Sequence, residues 1–118
     1  MAPDSSISYS IVIPVYNTTR ALEQLHQRIG QVFASRIRLP YEIILVDDGS
    51  PNPGTWPAVE ALVRNGKDTS AIRLTRNFGQ HAALLCGLSH ARGAHILTMD
   101  DDLQHAPEDI PGATSGRT

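Results

Sequence analysis

Four short apolar runs, separated by stretches of helical periodicity, constrain this chain more than any other feature. They are Tyr9-Ser10-Ile11-Val12-Ile13, Tyr41-Glu42-Ile43-Ile44-Leu45-Val46, Ala71-Ile72-Arg73-Leu74 and Ile96-Leu97-Thr98-Met99. Each is brief, rich in strand formers and set off by Gly, Pro or Asp, which is the mark of a β-strand. Between the first two, Leu22, Leu25, Ile29, Val32 and Phe33 recur at three- and four-residue intervals. That spacing predicts an amphipathic helix from about Thr19 to Ser35, with Glu23, Gln24, Gln27 and Arg28 facing water and Asn17 or Thr18 as its cap. A second helix is predicted from Thr55 or Trp56 through Val63, with Pro57 in its first turn and Gly66 behind it. A third, rich in Ala and Leu, runs from Gln80 to Ala91. Pro107-Glu108-Asp109 reads as the start of another helix, cut short at Pro111-Gly112. Alternating strands and helices give an α/β fold with a mainly parallel sheet of about four strands and flanking helices. Pro14 is expected to stop the first strand, because it has no N–H for a ladder. The first and fourth runs both read as buried strands. The expected organisation is a flexible lead-in over 1–8, one domain over 9–111 and an unstructured tail over 112–118.

The strand ends carry the chemistry. Three of the four finish in polar groups: Pro14 to Tyr16, Asp47-Asp48, and Asp100-Asp101-Asp102. In a parallel sheet those ends share one edge, where open α/β sheets bind their ligands. If the chain stays extended beyond Met99, Asp100 and Asp102 point to one side and Asp101 to the other. Neighbouring carboxylates repel unless a cation or proton lies between them. Oxygen-only donors suit a hard divalent ion, Mg2+ or Mn2+, shared with a phosphate. Asp47-Asp48 also reads as the opening of an ordinary Gly-Ser turn. Arg76-Asn77 serves equally as a phosphate partner or as a helix cap, and Tyr16 as a base-stacking ring or as loop packing. His81 and His105 are the histidines nearest the expected crevice.

Several classes are disfavoured. Ten basic and twelve acidic residues give a net charge of -2, with no electrostatic case for nucleic acid. Neither a Gly-x-Gly-x-x-Gly fingerprint nor a Walker loop follows the first strand. The single cysteine, Cys86, permits no internal disulfide and reads as a small core residue in a reducing, cytoplasmic compartment. The five histidines have no zinc-ligand spacing. No apolar run approaches the ~20 residues of a membrane span.

Four blocks in order resemble the start of a family 2 glycosyltransferase. They are Ser10 to Asn17, Val46-Asp47-Asp48-Gly49-Ser50, Arg76-Asn77-Phe78-Gly79, and Met99 to His105. The last, with Leu103-Gln104 after the acids, is most similar to polyprenyl-phosphate sugar transferases, including the dolichyl-phosphate mannose synthase group. The resemblance implies a GT-A fold, a UDP- or GDP-sugar donor and a divalent metal ion. It places Pro14, Tyr16, Asp47, Asp48, Arg76, Asp100 and Gln104 at the nucleotide-sugar and gives Asp100 and Asp102 the metal. It implies inverting transfer to a lipid phosphate, or to a glycan, through a further C-terminal part, at the cytoplasmic face of a membrane in a full-length relative. The alternative is a nucleotide-binding module or degenerate fragment without transfer chemistry.

Two departures stand out. Thr18 occupies a position where the family often has an acid. The stretch Gly112 to Thr118 resembles no family continuation, so the chain is expected to hold the donor half only, truncated and inactive alone. An uncovered edge at the fourth strand then predicts marginal stability or self-association.

Overall fold

The apolar runs become four strands of one parallel sheet. The computed structural model describes residues 6–66, 68–102 and 107–110. The strands are β1 (Tyr9–Val15), β2 (Tyr41–Asp47), β3 (Thr69–Arg73) and β4 (His95–Thr98), and the helices between them are α1 (Arg20–Val32), α2 (Thr55–Asn65) and α3 (Gln80–His90). Across the sheet the strands lie in the order β3-β2-β1-β4. A 3-10 turn, Pro107–Asp109, stands at the expected helix start, and Ile110 behind it is helical. Residues 1–5 of the expected lead-in, Leu103, Gln104, His105 and the tail over 112–118 lie outside the described residues, while Ile7 and Ser8 of that lead-in are hydrogen-bonded to the 94–95 backbone.

Alternation along β1 and β2 assigns the two faces. Ile11, Ile13, Ile43 and Leu45 pack with Leu22, Leu25 and Ile29 of α1 and Val59 of α2. Val12, Ile44 and Val46 face the other way, onto Ala83 of α3. Helices α1 and α2 follow strands laid down in one direction and α3 follows the reversal, so right-handed crossovers put α3 on the opposite face.

The first strand differs from expectation. Pro14 does not stop it but pairs with Val46 in β2. The Val15 carbonyl accepts from Asp48 N–H on the β2 side, while the Val12 carbonyl accepts from Met99 N–H on the β4 side. Pro14, two residues beyond Val12, therefore faces the β4 side, and the β1–β4 register ends at Val12 and Thr98. A proline there removes no ladder bond. The fourth strand is not buried: it is an edge, and Ile96 is 45% exposed.

Helix α1 is shorter than its period suggests. It passes at Phe33–Ile37 into a wider π-type turn and stops at Arg38 in a left-handed conformation, φ 58°. Neither predicted cap operates. Thr19 holds the N-cap position without a side-chain bond, and Asn17 and Thr18 are engaged elsewhere. Arg28 is not simply solvated, because it forms a bidentate pair with Glu108 that holds the Glu108 carboxyl below its ordinary range. Half-burial lowers the pKa of His26, whose Nε2 lies 2.7 Å from the Thr69 hydroxyl.

The amino end of the sheet is clamped. Glu42 is 4% exposed. Its Oε2 accepts from the Ser10 hydroxyl at 2.6 Å and from Arg92 N–H at 2.7 Å, and its Oε1 accepts from the Arg92 guanidinium. Ser10 Oγ in turn accepts from Gly93 N–H. The start of the α3–β4 connection is thus tied to both central strands.

Candidate functional site

A sheet ordered β3-β2-β1-β4 has its topological switch between β1 and β4. The strands after β1 step to one side and β4 returns to the other, and beyond Val12 and Thr98, where their ladder stops, a gap is left between the chain segments. The gap is where such sheets bind ligands. A cleft of about 250 Å³ lies there, lined by Pro14, Val15, Tyr16, Asp48, Gln80 and the three acids Asp100 to Asp102. A smaller hollow of about 40 Å³, sharing Pro14, Gln80 and Asp100, continues toward Leu84 and Thr98. A roomier space of about 410 Å³ between α1 and α2 has one carboxylate, Glu23, on its wall and no strand end.

The structure brings Pro14, Tyr16, Asp48, Asp100 and Asp102 to one cleft. Tyr16 stands at the rim, 45% exposed. Asp48 is 4% exposed and lends both oxygens to the β3–α3 loop, accepting Phe78 N–H at 2.8 Å and Gly79 N–H at 3.1 Å. Asp47 is outside the lining, and its Oδ1 accepts from the Ser50 amide and hydroxyl. Arg76 is outside it too, with its guanidinium 4.5 Å above the Phe78 ring. Gln104 and His105 lie outside the described residues, and His81 is exposed and not part of the wall.

These loops leave little freedom to one another. Gly49 has φ 63°, and a Cβ there would fall 2.1 Å from the Arg76 carbonyl carbon. Only glycine lets the turn after Asp48 meet the β3–α3 loop so closely. On the opposite side, Asn17 has φ 62° and accepts Asn52 N–H on its side chain, while its own N–H donates to Ser50 Oγ.

The three acids do not alternate as an extended strand would, because β4 ends at Thr98 and the chain turns at Asp101 and Asp102. All three line the cleft. Asp101 Oδ2 accepts Tyr16 N–H at 2.9 Å and the Thr18 hydroxyl at 2.5 Å. The Gln80 side-chain amide donates to Asp100 Oδ1 at 3.4 Å. Gln80, Thr18 and Asp101 were missed as site residues. Gln80 had a legible signal, as the first residue of a helix that begins at this edge; the Thr18–Asp101 pairing had none.

Among the described residues no group of three or more His, Cys, Asp or Glu side chains is disposed to enclose a metal ion. The donors that the cleft offers are carboxylate and amide oxygens. That set fits Mg2+ or Mn2+, which are commonly held by one or two carboxylates with substrate phosphates completing the shell.

A parallel sheet with an acid-lined cleft at its switch point defines a Rossmann-like α/β unit. Within that class the chain belongs to glycosyl transferase family 2, whose model matches residues 10–114. It is 44% identical over 102 residues to the undecaprenyl-phosphate 4-deoxy-4-formamido-L-arabinose transferase of Klebsiella pneumoniae, an alignment covering 86% of this chain and 31% of that protein. The chain thus spans about a third of the length of such relatives. Among solved structures it is similar to the mannosyltransferase PcManGT of Pyrobaculum calidifontis in complex with GDP-Man and Mn2+. The TM-score is 0.69 at 26% identity, covering 85% of this chain and 29% of the other. It is also similar to S. aureus TarS in complex with UDP, with TM-score 0.61, 26% identity and coverage of 81% and 28%. The four-stranded α/β architecture is that of the GT-A glycosyltransferases.

Among the described residues no helix is long and apolar enough to cross a membrane.

Proposed function

We propose that this chain is the donor-binding part of an inverting glycosyltransferase that moves a sugar from a UDP- or GDP-sugar to a polyprenyl phosphate. The observation that carries the reading is the convergence of Pro14, Tyr16, Asp48, Asp100 and Asp102 on one switch-point cleft in a family 2 chain. The Klebsiella relative's name supports undecaprenyl phosphate as the acceptor class and a 4-formamido-arabinose as the sugar class.

Each residue has a physical task. The exposed Tyr16 ring stacks on the nucleotide base. Pro14 and Val15 form an apolar floor, and Asp48, held by two backbone amides, presents a fixed carboxylate edge to the ribose. Asp47 and Arg76 act from behind by shaping the Gly49-Ser50 turn and the β3–α3 loop. Gln104 is expected beside the diphosphate. Asp100 and Asp102 hold the divalent ion, with Asp102 the more direct ligand. When bound, the ion neutralises the charge that develops on the departing diphosphate.

The acceptor oxygen attacks the anomeric carbon opposite the leaving group. The new carbon–oxygen bond forms as the bond to the nucleotide's terminal phosphate breaks, and the nucleoside diphosphate leaves with the electron pair. A phosphate acceptor is already anionic and needs no general base, whereas a hydroxyl acceptor would require one. The acceptor site belongs to the part of the relatives that this chain does not span.

Calorimetric titration of the chain with UDP and GDP, with Mn2+ present and then chelated, tests the reading. Binding of one nucleotide is expected only with Mn2+. Asp102→Ala should weaken it roughly tenfold or more, the scale of one charged contact. Metal-independent binding, or no binding by a folded chain, would sink the proposal.

A further inference from the structure

The geometry points to Asp101 as a positioning residue that couples the acidic turn to the nucleotide pocket, and not as a third metal ligand. The inference rests on the donor-site reading and deepens it. A run of three carboxylates invites the view that all three serve the cation. Asp101, however, is engaged by the loop across the cleft. One oxygen of Asp101 receives the backbone N–H of Tyr16 at 2.9 Å and the hydroxyl of Thr18 at 2.5 Å. Two donors on that oxygen fill its lone pairs and direct it toward the β1–α1 loop, so only the other oxygen is left to serve anything else.

The strap joins two segments that the sheet leaves apart. The β1–β4 ladder closes with Met99 N–H on the Val12 carbonyl, and Pro14 cannot extend it. Beyond that point the described contacts across the gap include the bonds from Tyr16 and Thr18 to Asp101. Tyr16 supplies the exposed ring at the rim, and Asp100 and Asp102 flank Asp101 in sequence. The bond to Tyr16 N–H therefore fixes the ring's backbone relative to both flanking acids. It sets the distance between the base end and the diphosphate end of the pocket before any ligand arrives.

The pairing also gives Thr18 a reason. A carboxylate at position 18 would meet Asp101 at hydrogen-bond distance, and two like charges there would repel. A hydroxyl donates instead.

Hydrogen exchange at the Tyr16 amide, read with nucleotide titration in Mn2+, tests the inference on the full chain. Tyr16 is exposed, so protection of its amide reports the bond. Asp101→Ala is expected to abolish that protection and to weaken nucleotide binding roughly tenfold, while the binding stays Mn2+-dependent. Asp101→Asn keeps an acceptor oxygen and should restore both. Thr18→Val, the milder variant should Asp101→Ala melt early, removes one of the two donors. It should weaken binding less, and add nothing on top of Asp101→Ala.

Unchanged Tyr16 exchange in Asp101→Ala overturns the strap. Loss of Mn2+ dependence in Asp101→Ala, unrepaired by Asp101→Asn, overturns it in favour of a ligand role. A wild-type chain that binds neither nucleotide removes the donor-site reading and this proposal with it. Binding by the wild type that the variants fail to follow removes this proposal alone.

Discussion

Glu42 and Asp101 perform related tasks at opposite ends of the same gap. Each is a carboxylate that accepts both a backbone N–H and a hydroxyl, and each ties a segment flanking β4 to β1 or the loop beyond it. They differ in burial, and that difference sets the energetics. Glu42 is almost sealed from water, so removing it takes the acceptor from the buried Ser10 hydroxyl and two bonds from the Arg92 guanidinium. Glu42→Ala is expected to destabilise the chain by about 2–4 kcal/mol, measured by urea denaturation. Arg92→Ala should cost less, because that side chain is half exposed at 51%. A Glu42→Ala variant as stable as the parent would show that the clamp carries no weight. Nothing in the sequence announces this network. Glu42 sits in an apolar run where an acid reads as an exposed strand residue, and its partners are Ser10 and the 92–93 turn, far away along the chain.

At the level of elements, α1 and the alternation of strands and helices were legible because burial on one face leaves a period that any reader can count. Leu22, Leu25 and Ile29 are all fully buried. What escaped was whatever depends on a neighbour. Pro14 continues β1 because β4 has already ended beside it, a fact about pairing and not about proline. The fourth run is apolar enough to read as buried, yet its side chains are largely exposed; its place at an edge was expected. The cleft was readable in outline, from polar residues at strand ends, but the division of labour among Asp47, Asp48 and Asp101 depends on which backbone amides lie within reach. Helix α3 illustrates the same limit. Its buried side consists of Ala83 and Gly87, with larger residues to the flanks, so its composition conceals its orientation. A Cβ on Gly87 would fall 2.4 Å from Val12 Cγ1 and 3.1 Å from Val46 Cγ2. Gly87→Ala pits a helix-propensity gain of about 1 kcal/mol against overpacking of about 1–3 kcal/mol. A net lowering of the thermal midpoint is expected, and a raised midpoint would mean that α3 lifts off the sheet without penalty.

For the whole molecule the exposed edges matter most. Among the described residues β3 and β4 each pair on one side only, and β4 carries Ile96 at 45% exposure. Such an edge offers unpaired backbone groups beside an apolar side chain. We expect this 118-residue chain to self-associate as its concentration rises. Light scattering should show the apparent mass increasing, and Ile96→Lys should suppress the increase while leaving the melt unchanged. A concentration-independent monomer would remove the edge from consideration.

The short ladder between β1 and β4 also fixes an order of events in time. β1 and β2 are joined through a single helix, so they can pair early. β4 must wait until the intervening two-thirds of the chain has been arranged, and long closures are slow. It then holds on to one neighbour through only four register pairs. The same strand is expected to be the last to join and the first to fray, by partial opening that leaves the β1–β2–β3 body intact. Because Asp100, Asp101 and Asp102 hang from its end, the pocket assembles only with that final docking. Mild heat or denaturant should therefore silence the site well before the rest of the molecule unfolds.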